Sequence, residues 1–290
     1  MVLQRAALVA VAFLTHISSS QVLADKQTLL DEELSKWDIY LSYAHSPNYA
    51  GEIPKDLHGN DIPPIGLNPS DGLGVFTVLT QPEPVLRVSG EYYGALTTKQ
   101  EFDNYHFSLK VKWGDKIWPA RKGKLKDTGI LYHAIGPHGA EYFRSWMLSH
   151  EFQIMEGHMG DYWVQANGAI DVRAYPREYV MSPVADPRAP WLSVGKGAEP
   201  FVMRSVNHES PQGEWTQLDL ISVDGQSLHI VNGQVVMALK NSRYIEEDGT
   251  STALKKGKIQ LQSEASEVFF KDIIIQTIET LPKQYAFYFE

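Results

Sequence analysis

Short runs in which apolar residues alternate with polar ones dominate the sequence after residue 75. These runs are rich in β-branched and aromatic residues, and turn pairs such as Asp224-Gly225 and Asn232-Gly233 separate several of them. The pattern predicts β-strands joined by tight turns, because successive side chains of a strand point to opposite faces. The predicted strands are residues 75–80, 85–89, 107–113, 129–133, 149–155, 215–223, 227–231, 234–239, 258–262 and 268–277. Since no amphipathic helix separates them, we predict an all-β sandwich of two antiparallel sheets, with residues 75–290 as one domain.

One helix is predicted before the first of these strands, over residues 28–43. Thr28 is a suitable N-terminal cap, and Asp31 and Glu32 would lie in the first turn, where the helix dipole favours acidic side chains. The apolar residues that recur at helical spacings are Leu29, Leu30, Leu34, Trp37 and Leu41. We expect this helix to pack on the outside of the sandwich.

A long irregular segment, residues 45–74, follows the predicted helix. It contains five prolines and no clear periodicity, which together favour an ordered, extended path. Loops of this length in compact domains are often functional or wrap a neighbouring element. We therefore expect residues 45–74 to wrap over the sandwich or to border its concave cleft, and residues 25–74 to form an N-terminal extension.

The first 24 residues have the features of a cleavable signal peptide. Arg5 is the only charged residue before Asp25, an apolar stretch follows it, and Val22-Leu23-Ala24 supplies small residues for a cleavage site. We expect cleavage after Ala24 and a secreted or periplasmic mature chain. No later segment contains the run of about 20 apolar residues that a membrane-spanning helix needs.

Composition and charge narrow the possible functions. The sequence contains no cysteine, so thiol catalysis, disulfides and cysteine-bound metal centres are excluded. The formal charge of −9 argues against a nucleic-acid partner, which would require a basic surface. No cofactor is certain from the sequence, although a divalent cation held by carboxylates is one option.

The stretch from His150 to Glu156, in the predicted strand 149–155, is the best candidate for catalytic chemistry. Glu151 and Gln153 share one face of an extended strand, whereas Phe152 and Ile154 point to the other face. Glu156 follows Glu151 at an odd number of residues, so in a regular strand its side chain would point to the opposite face. It would join Glu151 and Gln153 only through a β-bulge near Met155. With that bulge, Glu-x-Gln-x-x-Glu would place two carboxyl groups and one amide on a concave surface.

That spacing resembles the Glu-x-Asp-x-x-Glu motif of laminarinase-type retaining glycosidases, which lies on a bulged strand of a jelly roll. In such enzymes one carboxylate attacks the sugar and the other protonates the leaving oxygen, at a separation of about 5–5.5 Å. Gln153 stands where those enzymes have aspartate. The alternative is a surface strand whose polar residues only face solvent.

Polar and aromatic residues surround this stretch, and carbohydrate sites typically combine both kinds. Tyr132 and His133 adjoin each other in the strand predicted over 129–133, and we expect them to point to opposite faces. His133 could be catalytic, or it could be a hydrogen-bonded structural histidine. Each tryptophan could equally pack in the core. The candidate substrate-binding residues are Gln153, Asp127, Tyr132, Trp146, His158, Asp161 and Trp163.

Across residues 85–278 the sequence resembles the 3-keto-disaccharide hydrolase family. The first block that carries the resemblance is Val88-Ser89-Gly90-Glu91-Tyr92-Tyr93-Gly94-Ala95-Leu96-Thr97-Thr98-Lys99 followed by Phe102-Asp103-Asn104-Tyr105, which resembles the family's Gly-x-Leu-x-Thr and Tyr-x-Asn-Phe motifs. The second is Asp127-Thr128-Gly129-Ile130, where the family usually has Asn-Ser-Gly-Ile. The strand Glu151-Phe152-Gln153-Ile154 matches the family's Glu-x-Gln-Ile. The remaining blocks are Gly213-Glu214-Trp215, Asn232-Gly233, Gly257-x-Ile259-x-Leu261-Gln262 and Phe270-Lys271-Asp272-Ile273.

The resemblance implies a concanavalin-A-like jelly roll that acts on glycosides. A ketone at C3 of a sugar acidifies the proton at C2, so the bond from C1 to the glycosidic oxygen can break by elimination, with later addition of water. Such a reaction needs a base near C2 and a group that stabilises the enolate oxygen. His133 is the candidate base because its reference pKa lies near neutrality. Glu151 and Glu156 are candidates for protonating the leaving oxygen, or for acting as the carboxyl pair of a retaining hydrolase.

Two other kinds of protein remain open at this point. A non-catalytic carbohydrate-binding module, similar to a lectin, would use the same sandwich. A structural envelope protein would not need the cluster of polar and aromatic residues. The geometry of Glu151 and Glu156 separates an enzyme from a binding module, since divergent carboxyl groups would favour binding.

Overall fold

The computed structural model describes residues 26–45, 53–70, 72–141 and 144–290. The predicted signal peptide, residues 1–24, lies outside these ranges, as do residues 46–52 and 71 of the predicted wrapping segment. The strands, in chain order, are β1 (Lys26–Thr28), β2 (Trp37–Ala44), β3 (Gly66–Leu67), β4 (Phe76–Leu79), β5 (Val85–Val88), β6 (Tyr92–Thr98), β7 (Tyr105–Ile117), β8 (Asp127–Ile135), β9 (Leu148–Met155), β10 (Tyr162–Gln165), β11 (Gly168–Tyr175), β12 (Val184–Ala185), β13 (Trp191–Gly195), β14 (Phe201–Val202), β15 (Thr216–Val223), β16 (Gln226–Val231), β17 (Gln234–Ile245), β18 (Ser251–Ala253), β19 (Lys258–Ser263) and β20 (Ser266–Thr277). Within these ranges, 3₁₀ helices cover Gly72–Gly74, Pro119–Arg121 and Lys283–Tyr288.

The strands form two antiparallel sheets packed as a jelly-roll sandwich, which confirms the predicted fold class. The eight-stranded sheet has the order β14-β10-β9-β8-β19-β6-β2-β3. The twelve-stranded sheet has the order β12-β11-β17-β16-β15-β7-β20-β5-β4, with β1, β13 and β18 paired to β20, β11 and β17. In the described part of the chain, no helix is long and apolar enough to cross a membrane.

The main hydrophobic core lies between the two sheets and follows from strand alternation. On β9, Phe152 and Ile154 are fully buried in this core, as are Phe107 on β7 and Phe270 on β20. Burial of such side chains contributes about 1.5–3 kcal/mol each. We call the side of each sheet that faces away from the other sheet its outer face. Glu151 and Gln153 lie on the outer face of the eight-stranded sheet because they alternate with the core residues.

The predicted hairpin at Asn232-Gly233 is confirmed. It joins β16 to β17, and both residues have positive φ angles, 47° for Asn232 and 77° for Gly233. Two successive positive φ angles are the signature of the type I′ turn, which Asn-Gly adopts with little strain.

The predicted helix over residues 28–43 is wrong, because this region forms strand β2 after a short β1. Trp37, Ile39 and Leu41 alternate with Asp38 and Tyr40, and this period of two suits a strand that is buried on one face. Strand β2 pairs with β6, and β1 pairs with β20 of the other sheet. The N-terminal extension therefore contributes β1 to the twelve-stranded sheet and β2 and β3 to the eight-stranded sheet, and does not pack outside them.

The described residues of the segment after β2 run along the edge of the eight-stranded sheet. Strand β3 pairs with β2, and the Tyr43 hydroxyl donates a hydrogen bond of 2.9 Å to the carbonyl of Ile62. Arg144, in the loop before β9, forms an ion pair with Asp61 at 2.8 Å. This contact ties residues 53–67 to the loop that carries Glu141 and Trp146.

Candidate functional site

A cleft of about 610 Å³ lies on the outer face of the eight-stranded sheet. Its floor is built from neighbouring strands β10, β9, β8 and β19, and its size suits a small molecule or a segment of a glycan. Arg121 is the only basic side chain among the described lining residues, against four acidic ones. The lining consists of Arg121, Asp127, Glu141, Trp146, Glu151, Gln153, Met155, Trp163, Val164, Gln165, Ala166, Gln262 and Glu264.

Glu151 is the central carboxyl group of this cleft and is only 2% exposed. Its Oε2 accepts a short hydrogen bond from Nε2 of Gln165. Burial raises the pKa of Glu151 to about 8, and the nearby carboxylate of Glu264 adds to the rise. The Gln165 hydrogen bond, the nearby Gln262 amide and the Arg121 charge oppose it. A carboxyl group with a pKa near neutrality can both accept and donate a proton.

Arg121 links two further carboxylates at one end of the cleft. It comes from the 3₁₀ helix Pro119–Arg121, and its Nη2 donates to Oδ2 of Asp127 and, at 2.9 Å, to Oε1 of Glu264. Asp127 begins β8, whereas Glu264 directly follows β19. Burial raises the pKa of Glu264, although the Arg121 guanidinium acts against this rise. The arginine therefore holds two acidic groups together, and its own charge is balanced by theirs.

Several polar atoms of the lining are buried without a hydrogen bond in the described part of the chain. They are Oδ1 of Asp127, both side-chain polar atoms of Gln262, and Nε1 of Trp163. Asp127 is 3% exposed and Gln262 is fully buried. The Gln262 amide lies close enough to Glu151 to lower its pKa, yet without the geometry of a hydrogen bond. Because buried polar groups are nearly always paired, these atoms are available to hydrogen-bond with water or with a ligand that carries both donors and acceptors.

The two tryptophans of the cleft differ in their packing. Trp163 on β10 lies directly opposite Glu151 in the strand register and stacks on Phe201 with ring centroids 4.7 Å apart. It is half-buried, so one part of its ring can contact a ligand. Trp146 is only 1% exposed and packs with Tyr93, Ala95 and Leu131 in a small apolar cluster. Trp163 is thus the better platform for a sugar ring, and Trp146 mainly supports the wall.

His133, the candidate base of the sequence analysis, does not line this cleft. A register irregularity lies between Tyr132 and Ile135, and His133 has a positive φ of 53°. The resulting bulge turns His133 towards the interior, so it lies on the same side as Tyr132. Its ring bonds the Leu254 carbonyl at 2.9 Å and the Ser222 hydroxyl at 3.0 Å. Burial lowers the pKa of His133 to about 4.

Tyr132, predicted to bind substrate, also lies in the core between the sheets. Its hydroxyl is within hydrogen-bond distance of the Ser227 hydroxyl, at 3.1 Å, and of Nε2 of His229, at 3.3 Å. Burial raises its pKa well above the usual range. The side chain is fully buried and has no access to the cleft.

The bulge near Met155 that Glu156 would need to join Glu151 is absent from β9, and Glu156 lies away from Glu151. The ladder between β8 and β9 runs in regular register from Asp127–Met155 to Tyr132–His150, and β9 ends at Met155. Glu156 belongs to the turn that follows and lines a separate small depression with Trp113 and Met159. The two glutamates therefore diverge.

His158 and Asp161 hold the turn between β9 and β10 and do not line the cleft. Asp161 bonds the His158 ring at 3.2 Å, and its Oδ1 accepts a hydrogen bond of 2.8 Å from the backbone N–H of Arg204. The Glu209 carboxylate accepts hydrogen bonds from the backbone N–H groups of Gly157 and Met159, each at 2.9 Å. These contacts indicate a structural role for both predicted residues.

Sequence reasoning missed Arg121, Gln165, Gln262 and Glu264. One signal was available, since Gln260, Gln262 and Glu264 alternate with Leu261 and Ser263 in the same way as Glu151 and Gln153 alternate in β9. Arg121 lies in an irregular segment and had no such signal. Among the described residues, no group of three or more His, Asp or Glu side chains is arranged to hold a metal ion. Two of the cleft carboxylates are instead paired with Arg121.

The fold and the cleft define a jelly-roll domain of the kind found in carbohydrate-active proteins. The family model for the 3-keto-alpha-glucoside-1,2-lyase-like domain matches residues 25–276, so the chain belongs to this family. The resemblance seen in the sequence is therefore confirmed. Comparison with curated protein sequences found no significant match.

Solved structures with a similar fold include carbohydrate-active proteins of low sequence identity. A provisionally assigned glycosyl hydrolase from Parabacteroides distasonis has 14% identity and a TM-score of 0.45, over 88% of this chain and 100% of that chain. The carbohydrate-binding module CBM66 from Bacillus subtilis has 7% identity and a TM-score of 0.38, over 70% of this chain and 92% of that chain. Domain 4 of the extracellular arabinanase AbnA from Geobacillus stearothermophilus has 11% identity and a TM-score of 0.38, over 88% of this chain and 100% of that chain.

Proposed function

We propose that this protein cleaves the glycosidic bond of 3-keto-glycosides by elimination, with Glu151 as the group that transfers the proton. The observation that carries the proposal is a buried carboxyl group with a pKa of about 8 on the floor of a cleft. The family of the chain agrees with this reaction. The proposal replaces His133 as the base, because the ring of that histidine faces the interior.

The reaction needs one group that first removes a proton and then returns it. The Glu151 carboxylate takes the proton from C2 of the keto-sugar, and the electron pair of that bond forms the enolate between C2 and C3. The enolate then re-forms the C3 ketone, a double bond forms between C1 and C2, and the bond from C1 to the glycosidic oxygen breaks. Protonated Glu151 gives its proton to the departing oxygen, so the carboxylate is restored. A pKa of about 8 suits both halves of this transfer.

The unpaired polar atoms of the cleft supply the remaining functions in this proposal. The side-chain N–H groups of Gln262 and Trp163 are donors for the enolate oxygen or for sugar hydroxyls. Oδ1 of Asp127 is an acceptor for a sugar hydroxyl, and the half-buried face of Trp163 is a surface for the ring. Gln165 fixes one oxygen of Glu151, which leaves the other oxygen to meet the substrate.

The proposal also includes export of the chain. Residues 1–24 would be removed as a signal peptide, and the mature protein would begin at Asp25 in the secreted or periplasmic fraction. N-terminal sequencing of the protein from that fraction tests this point, and a chain that retains residues 1–24 would contradict it.

The first experiment compares matched glycosides with and without a ketone at C3. We expect cleavage of the 3-keto-glycosides only, with a transient enone absorbance. Glu151→Gln should lower kcat by about 10²–10⁴-fold, as is typical for loss of a general acid–base group. Glu156→Gln is the matched control, since it removes a carboxyl group outside the cleft, and should leave turnover unchanged.

The pH profile tests the direction of the proton transfer. Since the carboxylate form starts the elimination, kcat/KM should rise with pH and level off above about 8. A general acid in a hydrolase would give the opposite profile, with the rate falling through the same pH. Full activity of Glu151→Gln, or a falling profile, would contradict the proposed reaction.

A non-catalytic carbohydrate-binding module is the second candidate function. The divergence of Glu151 and Glu156 favours it, because a retaining carboxyl pair is not formed by these two residues. A binding module would show saturable binding of glycans by calorimetry with no turnover of any glycoside. Glu151→Gln would then change affinity without a change in bond cleavage.

A further inference from the structure

Gly129 lies next to two side chains of the cleft, Glu151 and Gln262, in the block Asp127-Thr128-Gly129-Ile130. It lies on β8 between β9 and β19, and its register partner on β9 is Gln153. Its backbone φ lies outside the left-handed region, so the backbone conformation at this position does not require glycine.

The requirement for glycine comes from two side chains on the neighbouring strands. A Cβ atom at this position would lie 2.5 Å from Oε1 of Glu151 and 2.5 Å from Oε1 of Gln262. Real Cβ atoms do not approach other heavy atoms this closely. The Glu151 and Gln262 side chains thus converge over Gly129 from opposite sides, in the space that any other residue would fill.

Glycines in β6 and directly before β19 are constrained differently. A Cβ on Gly94 of β6 would collide with the backbone carbonyl oxygen of Tyr40, and one on Gly257 would collide with backbone atoms of His133 and Ala134. At those positions the strands themselves would have to move. At Gly129 the nearest atoms are the ends of two side chains, which can move while the strands keep their register.

We propose that Gly129 is a positioning residue: its lack of a side chain lets the Glu151 carboxyl group and the Gln262 amide meet on the cleft floor. This inference rests on the proposed function, because it makes Gly129 act through the proton-transferring group. A methyl group here would push the Glu151 carboxyl group out of its buried position and away from Gln262. Misplacement of a reacting group by about 1 Å typically costs about 10²-fold in rate.

The test compares Gly129→Ala with Gly94→Ala in the full chain. Gly129→Ala should reduce cleavage of 3-keto-glycosides by about 10²-fold, with nearly unchanged thermal stability. Gly94→Ala should lower thermal stability, because its methyl group meets backbone. An unfolded Gly129→Ala protein would overturn the proposal, since it would show that the glycine serves the backbone.

A second readout does not depend on activity. Titration of the Glu151 carboxyl group by NMR in ¹³C-glutamate-labelled protein, without substrate, measures its pKa directly. We expect the value to fall in Gly129→Ala as the carboxyl group reaches solvent, and to stay the same in folded Gly94→Ala. An unchanged Glu151 pKa in Gly129→Ala would overturn the proposal. If the wild type cleaves no 3-keto-glycoside, the proposed function fails, whereas the titration still decides the role of Gly129.

Discussion

The burial of Glu151 lowers the stability of the folded protein at any pH at which the same side chain would ionise in the unfolded chain. Its pKa is raised from 4.5 to about 8, so the folded chain keeps a proton that the unfolded chain releases above pH 4.5. The contribution of this group to stability is therefore full below pH 4.5 and is lost as the pH rises towards 8. Residues that are poorly placed for stability, and well placed for chemistry, are typical of functional sites.

Glu151→Gln should therefore stabilise the protein in a pH-dependent way. Glutamine keeps the shape of the protonated acid but does not ionise, so the gain in the free energy of unfolding should be small at pH 4.5 and on the order of a few kcal/mol at pH 8.5. Urea denaturation at both pH values measures it, with the exposed Glu33→Gln as control. Equal gains at both pH values would show that the carboxyl group is not buried in its acid form.

For single residues, the sequence predicts which side chains of a strand share a face, but it does not predict irregularities of the backbone. The neighbouring positions of Glu151 and Gln153 follow from an extended strand alone. The positive φ at His133 has no signature in the residues around it, because a residue other than glycine only occasionally adopts that conformation. The role of Gly129 was equally hidden, since it depends on side chains from strands far away in the sequence.

Residues 278–289 lie outside the two sheets but pack against one of them. They follow β20 and cover an apolar cluster on the outer face of the twelve-stranded sheet, where Ile221 and Ile230 are buried. Phe289 stacks near Trp191 with ring centroids 6.2 Å apart, and Arg173 bonds the Tyr288 carbonyl at 3.0 Å. The family match ends at residue 276, so this cover lies beyond it.

We expect single aromatic side chains of residues 278–289 to contribute measurably to the free energy of unfolding. Phe289→Ala removes a ring that packs on this cluster and should lower the free energy of unfolding by about 1–3 kcal/mol. Phe287→Ala is the matched control because that ring is 56% exposed, and its effect should stay within about 0.5 kcal/mol. Chemical denaturation separates the two, and equal effects would show that the segment does not rest on the sheet in solution. Cleft activity should be unchanged in both variants.

Elements were predicted best where the alternation is long and the turns are marked. All ten predicted strands are present, with ends that differ by a few residues. Strand β2 was mistaken for a helix because Leu29, Leu34, Trp37 and Leu41 also fit helical spacing. The cleft could not be assembled from the sequence, because β8 and β19 are adjacent in space although more than 120 residues separate them.

Strands β8 and β9 of the eight-stranded sheet carry polar side chains on both faces. Behind the cleft, between the sheets, His133, His150 and His229 form an interior histidine cluster with Tyr132 and Tyr162. His150 contacts the Tyr162 hydroxyl at 2.8 Å and the Ser242 hydroxyl at 2.7 Å. Burial lowers the pKa of each histidine, to about 4 for His133 and about 3 for His229. All three are neutral in the folded protein at neutral pH.

The histidine cluster should make the sandwich sensitive to acid. As pH falls below 6.5 the unfolded chain binds protons at these residues and the folded chain does not, so stability is full above pH 6.5 and is lost towards pH 4 and 3. Each histidine contributes about 1.4 kcal/mol per pH unit. Glu151 acts in the opposite direction between pH 4.5 and 8, so the loss should steepen below about pH 4.5.

Urea denaturation between pH 7.5 and 4 measures this dependence. His133→Gln should reduce the slope by about one proton, whereas His58→Gln, at an exposed loop position, should leave it unchanged. A flat profile down to pH 4 would show that the interior histidines are accessible to protons in the folded state.

Strand β9 alternates between two chemical environments, with His150 inside the sandwich and Glu151 in the cleft. Insertion or deletion of one residue in this strand exchanges them, burying a carboxyl group among histidines and presenting an imidazole to the ligand. A change of two residues preserves the assignment. Length variation in this strand is therefore restricted to even steps.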